Sequence, residues 1–276
     1  MAEAGQFDGR VSYGRRLSDL AAMHPDRPAI VFASAEGATR AVSWAEVDRA
    51  SNRVARLLAE RGVDERSLVV VGLPNRPEHY VATFAGWKLG ALVLPLRASL
   101  PERERHQLLA IGDPAVVVAE WEGVGYPAVT PADLARATAY SDAPHPDRIP
   151  HPGKAMGSGG STGRSKIIVD PKPLAKTPLR PGEVGLLGLR TGQIQLVAGP
   201  LYHNSPFGWS HAGLFEEHTL VLMERFSAAM ALDLIERHRV NFAFLAPTMM
   251  RRIIDEPGVV GRDFSSVETI FHTAAP

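Results

Sequence analysis

Residues 156–169 read Met-Gly-Ser-Gly-Gly-Ser-Thr-Gly-Arg-Ser-Lys-Ile-Ile-Val, and this stretch constrains the chain more than any other. Its glycines, Gly157, Gly159, Gly160 and Gly163, let a backbone turn tightly and aim its N–H groups at one point. Ser158, Ser161 and Thr162 add hydroxyl donors, Lys166 adds a positive charge, and the β-branched run behind them reads as a strand. A polyanion suits such a loop. Charge-assisted hydrogen bonds contribute about 1.5–3 kcal/mol each, so a few can hold a triphosphate. Two well-known phosphate loops fail on counting. The Walker pattern sets Lys directly after its last glycine, whereas Arg164 and Ser165 separate Gly163 from Lys166. The dinucleotide fingerprint sets glycines at i, i+2 and i+5, and from Gly157 that reaches Gly159 and then Thr162. A flexible Gly/Ser linker is the bland alternative; a Lys at a fixed step before an Ile-Ile-Val run argues against it.

Around this loop the chain alternates. Residues 17–23 read as a short helix and 29–33 as a strand. Ser43-Trp44-Ala45-Glu46 has the form of a capping box, followed by Val47, Ala50, Val54, Leu57 and Leu58 at helical spacing and a stop at Gly62. Residues 68–73, 92–96 and 115–119 are apolar strands, with helices over 78–90, from a Ser99 cap to 111, and from Thr130 to about 139. After the loop, strands are expected at 167–169, 185–189, 193–198, 219–223, 242–245 and 267–270. Helices are expected at 207–216 and 228–238, and from a Thr248 cap to 254. Strands apolar throughout and alternating with helices indicate an α/β fold of parallel-rich sheets covered by helices. The expected division is a first α/β subdomain at 1–140, a proline-rich linker at 141–155, and a second subdomain with the phosphate loop at 156–276.

Composition narrows the partners. At 276 residues and 45% hydrophobic the chain can bury a large core. Thirty basic and thirty acidic side chains give no case for nucleic acid or an anionic membrane as main partner. With no cysteine, disulfides and thiolate zinc sites are excluded. Residues 1–10 lack an apolar signal core, and no run approaches the roughly 18 apolar residues of a membrane helix, so the expectation is a soluble, cytoplasmic chain without a transmembrane segment. His145 and His151, six apart in the linker, suit neither one helical face nor a metal pair, and no metal ligands are assigned.

The loop from Ser158 to Lys166 resembles that of the AMP-forming acyl-CoA synthetases, luciferases and peptide-synthetase adenylation domains, whose pattern reads Thr-Ser-Gly-Thr-Thr-Gly-x-Pro-Lys. Gly160, Thr162, Gly163 and Lys166 match; Ser158 and Ser161 exchange one hydroxyl for another; Gly159 replaces a Ser and Ser165 a Pro. Pro200-Leu201-Tyr202-His203 resembles the same family's aromatic-plus-His segment, and residues 240–248 its strand-Pro-helix element. Thr273-Ala274-Ala275-Pro276 resembles its small-residue turn against adenine. The resemblance implies the amino-terminal part of the adenylate-forming fold, with the small C-terminal domain absent. It implies ATP held by Ser158, Gly159, Gly160, Ser161, Thr162, Gly163 and Lys166, with Thr273, Ala274, Ala275 and Pro276 at adenine. It sets His203 beside the carboxylate being activated and Phe207 in the wall of the acid pocket, with Lys166 and His203 the catalytic residues.

By the same resemblance the reaction joins a carboxylic acid to ATP through acyl-AMP and passes the acyl group to coenzyme A, with Mg²⁺ held by a ligand beyond Pro276. Amino-acid-activating members carry an Asp near the His203 position, and Tyr202-His203-Asn204-Ser205 has none, which favours an acid lacking an α-amino group. This chain by itself is expected to be an inactive amino-terminal part, with a homodimer left open. Two alternatives stand beside this reading: a catalytically incompetent nucleotide-binding fragment or scaffold, and a generic phosphate-binding α/β protein.

Overall fold

The computed structural model describes residues 9–158 and 165–272. Its strands, in chain order, are β1 (Val11–Ser12), β2 (Pro28–Ala33), β3 (Thr39–Ser43), β4 (Leu68–Gly72), β5 (Leu92–Pro95), β6 (Val116–Ala119), β7 (Ala128–Val129), β8 (Lys154–Ser158), β9 (Lys166–Asp170), β10 (Ala175–Lys176), β11 (Ile194–Val197), β12 (Thr219–Met223), β13 (Phe242–Phe244) and β14 (Thr269–Phe271). Its α-helices are α1 (Tyr13–Met23), α2 (Trp44–Glu60), α3 (Pro77–Lys88), α4 (Glu102–Gly112), α5 (Pro131–Arg136), α6 (Asn204–Phe215), α7 (Ala228–His238) and α8 (Pro247–Ile254). Contacts divide the chain into two units: residues 1–25, 45–74 and 78–178, and residues 26–44, 75–77 and 179–276.

The first unit is built on a six-stranded sheet in the order β7-β6-β4-β5-β8-β9, parallel except where β9 runs back along β8. Val69, Val70 and Val71 of β4 are fully buried, as the unbroken apolar run requires of a central strand covered on both faces. Helix α2 buries Val47, Val54, Leu57 and Leu58 and ends at Gly62, whose φ of 90° reverses the chain while Val63 N donates to Leu58 O at 3.1 Å. Thr130 and Asp133 form a capping box that opens α5. Lys88, at the end of α3 and 5% exposed, donates from Nζ to Asp48 Oδ1 at 2.7 Å, Ser51 Oγ at 2.8 Å and Asn52 Oδ1 at 2.7 Å. Ser18 of α1 donates to the same Asp48 oxygen at 2.7 Å, so one buried ion pair ties three helices. Burial pulls Lys88 below the usual lysine range, and the Asp48 carboxylate opposes that pull.

The second unit carries a six-stranded sheet in the order β14-β13-β11-β12-β2-β3, parallel except for the β2–β3 pair. Its core joins α7 to the sheet through Ala231, Leu232, Leu234 and Ile235 against Leu196, Val221 and Ala243. Among the described residues no helix is long and apolar enough to cross a membrane.

The structure departs from the sequence reading at five places. The expected strand at 185–189 is a short 3-10 turn, Leu186–Gly188, with Leu187 at a φ of 56°; Leu186 and Leu187 are exposed, so apolar residues there imitate a strand without a neighbour to pair with. Ser99 does not cap α4, whose N-cap is Pro101 without a side-chain bond. Thr248 likewise does not cap α8, which starts one residue earlier with Pro247 after Ala246, because proline's fixed φ and missing N–H suit a first helical turn. Strand β8 occupies Lys154–Ser158, partly inside the expected linker. The two contact units also cut across the expected 1–140 and 156–276 division: β8 and β9 extend the first sheet through β5, and β2 pairs with β12 of the second.

Candidate functional site

In the first unit the phosphate-loop segment is flanked by β8 and β9. Their antiparallel register pairs Gly157 with Ile167 and Ser158 with Lys166, so the residue before the glycine-rich turn and the lysine after it face each other across two strands. Because β8 runs parallel to β5, Ser158 stands at the carboxyl end of a parallel sheet, the edge where open α/β sheets take ligands. Gly157 packs closely: a Cβ there would lie 2.9 Å from Leu96 Cδ2 and would push that side chain aside. Lys166 is exposed. Gly159, Gly160, Ser161, Thr162 and Gly163, and at the other end Thr273, Ala274, Ala275 and Pro276, lie outside the described residues.

In the second unit the chain leaves β11 and enters α6 through residues 198–203. A Cβ on Gly199 would lie 2.6 Å from Pro206 Cγ, so glycine permits the close approach of strand end and helix start. His203 is the N-cap of α6, makes no side-chain cap bond, is exposed, and sets its ring 4.4 Å from that of Tyr202. Its carbonyl accepts from Phe207 N at 3.1 Å. Phe207 is 1% exposed and packs on the His211 ring at 4.2 Å. A small void nearby is lined by Ala198, Gly199, Pro206, Trp209 and Phe244, and Trp209 also meets Phe271 at 4.5 Å.

Sequence reasoning missed Asn75. Buried at 8% exposure, it donates from Nδ2 to Gly199 O at 2.9 Å and to Met223 O at 3.2 Å, and its Oδ1 accepts from Leu201 N at 2.9 Å. One amide thus clamps the carboxyl ends of β11 and β12 and fixes the path toward His203. Beside it Arg76 donates to Glu224 at 2.7 Å, and hydrogen bonds from Arg76 and from Ala35 N hold that carboxyl below its usual range despite the opposing effect of burial. Only the turn Pro74-Asn75-Arg76-Pro77 signals this position in the sequence. Among the described residues no group of three His, Asp or Glu side chains gathers to hold a metal, and none of the geometry above assigns a ligand to Mg²⁺.

Two six-stranded, largely parallel sheets of this kind recur in solved structures. The fold is similar to the inhibitor-bound N-terminal domain of FACL13 from Mycobacterium tuberculosis, with a TM-score of 0.79 at 18% identity over 96% of this chain and 70% of that one. It is also similar to ATP-bound MatB from Rhodopseudomonas palustris, with a TM-score of 0.74 at 20% identity over 96% of this chain and 56% of that one. The family described as AMP-binding enzyme matches residues 17–276, and the chain belongs to it. Curated relatives include 4-coumarate--CoA ligase 1 of Oryza sativa subsp. japonica, 28% identical over 95% of this chain and 51% of its own length. A feruloyl-CoA synthase of an Amycolatopsis species is 29% identical over 86% of this chain and 50% of its own. The chain spans about half the length of the curated relatives it matches.

Proposed function

We propose that this chain is the part of an ATP-dependent carboxylic acid–CoA ligase that grips the triphosphate and borders the acid. The observation that carries the reading is the β8–β9 register, with Ser158 opposite Lys166 at the carboxyl edge of the sheet. In the reaction, a carboxylate oxygen attacks the α-phosphorus of ATP and pyrophosphate leaves, giving acyl-AMP. A thiolate of coenzyme A then attacks the acyl carbon and AMP leaves. The difficulty of the first step is electrostatic: two anions must meet while negative charge builds on the departing pyrophosphate. In this proposal Ser158, Ser161, Thr162, the N–H groups of Gly159, Gly160 and Gly163, and the Lys166 ammonium take that charge. Mg²⁺ would share the polyphosphate charge through a ligand other than these residues. Thr273, Ala274, Ala275 and Pro276 are proposed to serve adenine, His203 to approach the carboxylate, and Phe207 to back the wall behind it.

The acid proposed is one without an α-amino group, since Tyr202-His203-Asn204-Ser205 offers no carboxylate to hold an ammonium. The names of relatives acting on 4-coumarate, ferulate and indoleacetate make aromatic acids the first to try. The whole enzyme is the form proposed to turn over; the 276 residues alone are expected to give no acyl-AMP. The test is acid-dependent exchange of pyrophosphate into ATP by the full-length enzyme. Lys166→Ala and Thr162→Ala should each slow it by about 10²–10³-fold, the scale on which a charge-stabilising donor acts. Exchange at the wild-type rate in both would remove the assignment.

A further inference from the structure

The segment at 141–153, between the end of α5 and the start of β8, runs over the first unit as a strap held by polar contacts. Arg53 of α2 donates to Asp142 Oδ2 at 2.8 Å, and Asn52 Nδ2 donates to Asp142 O at 3.0 Å. Ser12, the cap of α1, donates to Asp147 Oδ1 at 2.6 Å, and Arg148 donates to Leu89 O at 3.1 Å. A cleft of about 280 Å³ is lined by Pro144, His145 and Pro146 of the strap together with Arg15, Ser18 and Lys88. Most of 141–148 is exposed, so attachment of that part depends on these directional contacts.

His145 is the central one. Its Nε2 lies 3.0 Å from Asn52 O and 3.1 Å from Arg56 Nη1, and Arg56 Nη1 itself donates to Asn52 O at 3.1 Å. A neutral imidazole fits here in either tautomer, accepting from Arg56 or donating to Asn52 O. An imidazolium would face the Arg56 guanidinium at that distance, with Lys88 and Arg148 as the next cations. The carboxylates of the surroundings are engaged elsewhere: Asp48 by Lys88, Asp142 by Arg53, Asp19 by Arg15 and Asp147 by Ser12. We propose that His145 is a proton-operated latch, which holds the strap on α2 while neutral and releases it when protonated. Burial first, and the three cations after it, keep the attached imidazole below the ordinary histidine value of 6.5, the bond to Asn52 O opposing them. Linkage gives the sign. Proton affinity is lower with the strap attached than with it released, so attachment is fully favoured above the released-state value and weakens as pH falls toward the attached-state value. Release would stop short of β8, because Pro150 O accepts from Leu174 N at 2.9 Å and Gly153 O from Trp87 Nε1 at 2.8 Å.

Backbone ¹⁵N relaxation on the 276-residue chain, followed from about pH 8 to about pH 5, tests the latch. Order over 142–149 should fall with acidification, the released fraction growing by up to about tenfold for each unit separating the two histidine values, while β4 and β5 stay ordered. His145→Gln should remove that pH response and keep the order seen at about pH 8. Arg56→Gln should reduce the response, since it removes the nearest opposing charge, and it decides the matter if His145→Gln does not fold. A wild-type strap whose order ignores pH, or an undiminished response in the folded variants, overturns the proposal.

Discussion

Two lysines of the first unit are put to opposite uses. Lys88 is buried, with its ammonium spread over Asp48, Ser51 and Asn52. Lys166 stands exposed at the start of an edge strand, fixed through the backbone pairing of β8 and β9. A buried cation that has found all its acceptors belongs to the fold, and removing it leaves Asp48 buried without its counter-charge. An exposed cation adds little to stability, and the proposed role of Lys166 lies in its charge instead. The comparison separates residues that build the sheet unit from those available for chemistry, and it can be broken by measurement.

The largest expected effect is on rate. Lys166→Ala in the full-length enzyme should slow adenylation about 10²–10³-fold and leave unfolding free energy within about 0.5 kcal/mol, read by single-turnover acyl-AMP formation and by urea denaturation. Parallel loss of stability would show that Lys166 supports the fold after all. Next comes Lys88→Ala, expected to destabilise by about 3–5 kcal/mol because a buried pair is broken from one side; denaturation of the 276-residue chain measures it.

His79 sharpens the contrast, since it is a buried group that folds in its neutral form. It is fully buried at the start of α3, and burial pushes its value down to about 3. A histidine with a lower value folded than unfolded contributes stability that is complete above about pH 6.5 and is lost as pH falls toward the folded value. Stability should therefore drop by about 1.4 kcal/mol per pH unit on that limb from this residue, and His79→Leu should flatten the limb by that amount. An unchanged acid slope would contradict it. At the small end, Thr130→Ala should cost about 1 kcal/mol through loss of the α5 capping box. Arg251→Ala should cost less than about 0.5 kcal/mol, because its pair with Asp255 is exposed on both sides.

Much of the scaffold was legible because central strands must be apolar on both faces. The runs that became β4, β5, β6, β11 and β12 could be read directly, and the residues expected of α7 are those observed. The failures have two causes: prolines one or two residues away displace the expected Ser99 and Thr248 caps, and the others depend on neighbours distant in sequence. Leu186 and Leu187 look like strand residues until no partner strand lies beside them. β8 carries Lys154, Gly157 and Ser158 among its five residues, so its sequence does not announce a strand; its pairing with β5 and β9 does. Neither the Lys88 cluster nor the Asn75 clamp has a local pattern, because Lys88 meets partners at least 36 residues away and Asn75 meets Gly199 across 124. At the candidate site, Ser158 and Lys166 are expected from the glycine-hydroxyl-lysine pattern, whereas His203 is expected only through the family resemblance. Neither signals the burial of Phe207 against His211.

The most direct measurement is a crystal structure of the full-length enzyme with ATP. The β- and γ-phosphates should be cupped by residues 158–165, with Lys166 Nζ within about 3 Å of a phosphate oxygen. Polyphosphate bound elsewhere, with the Lys166 side chain turned away from it, would overturn the proposed role of this loop.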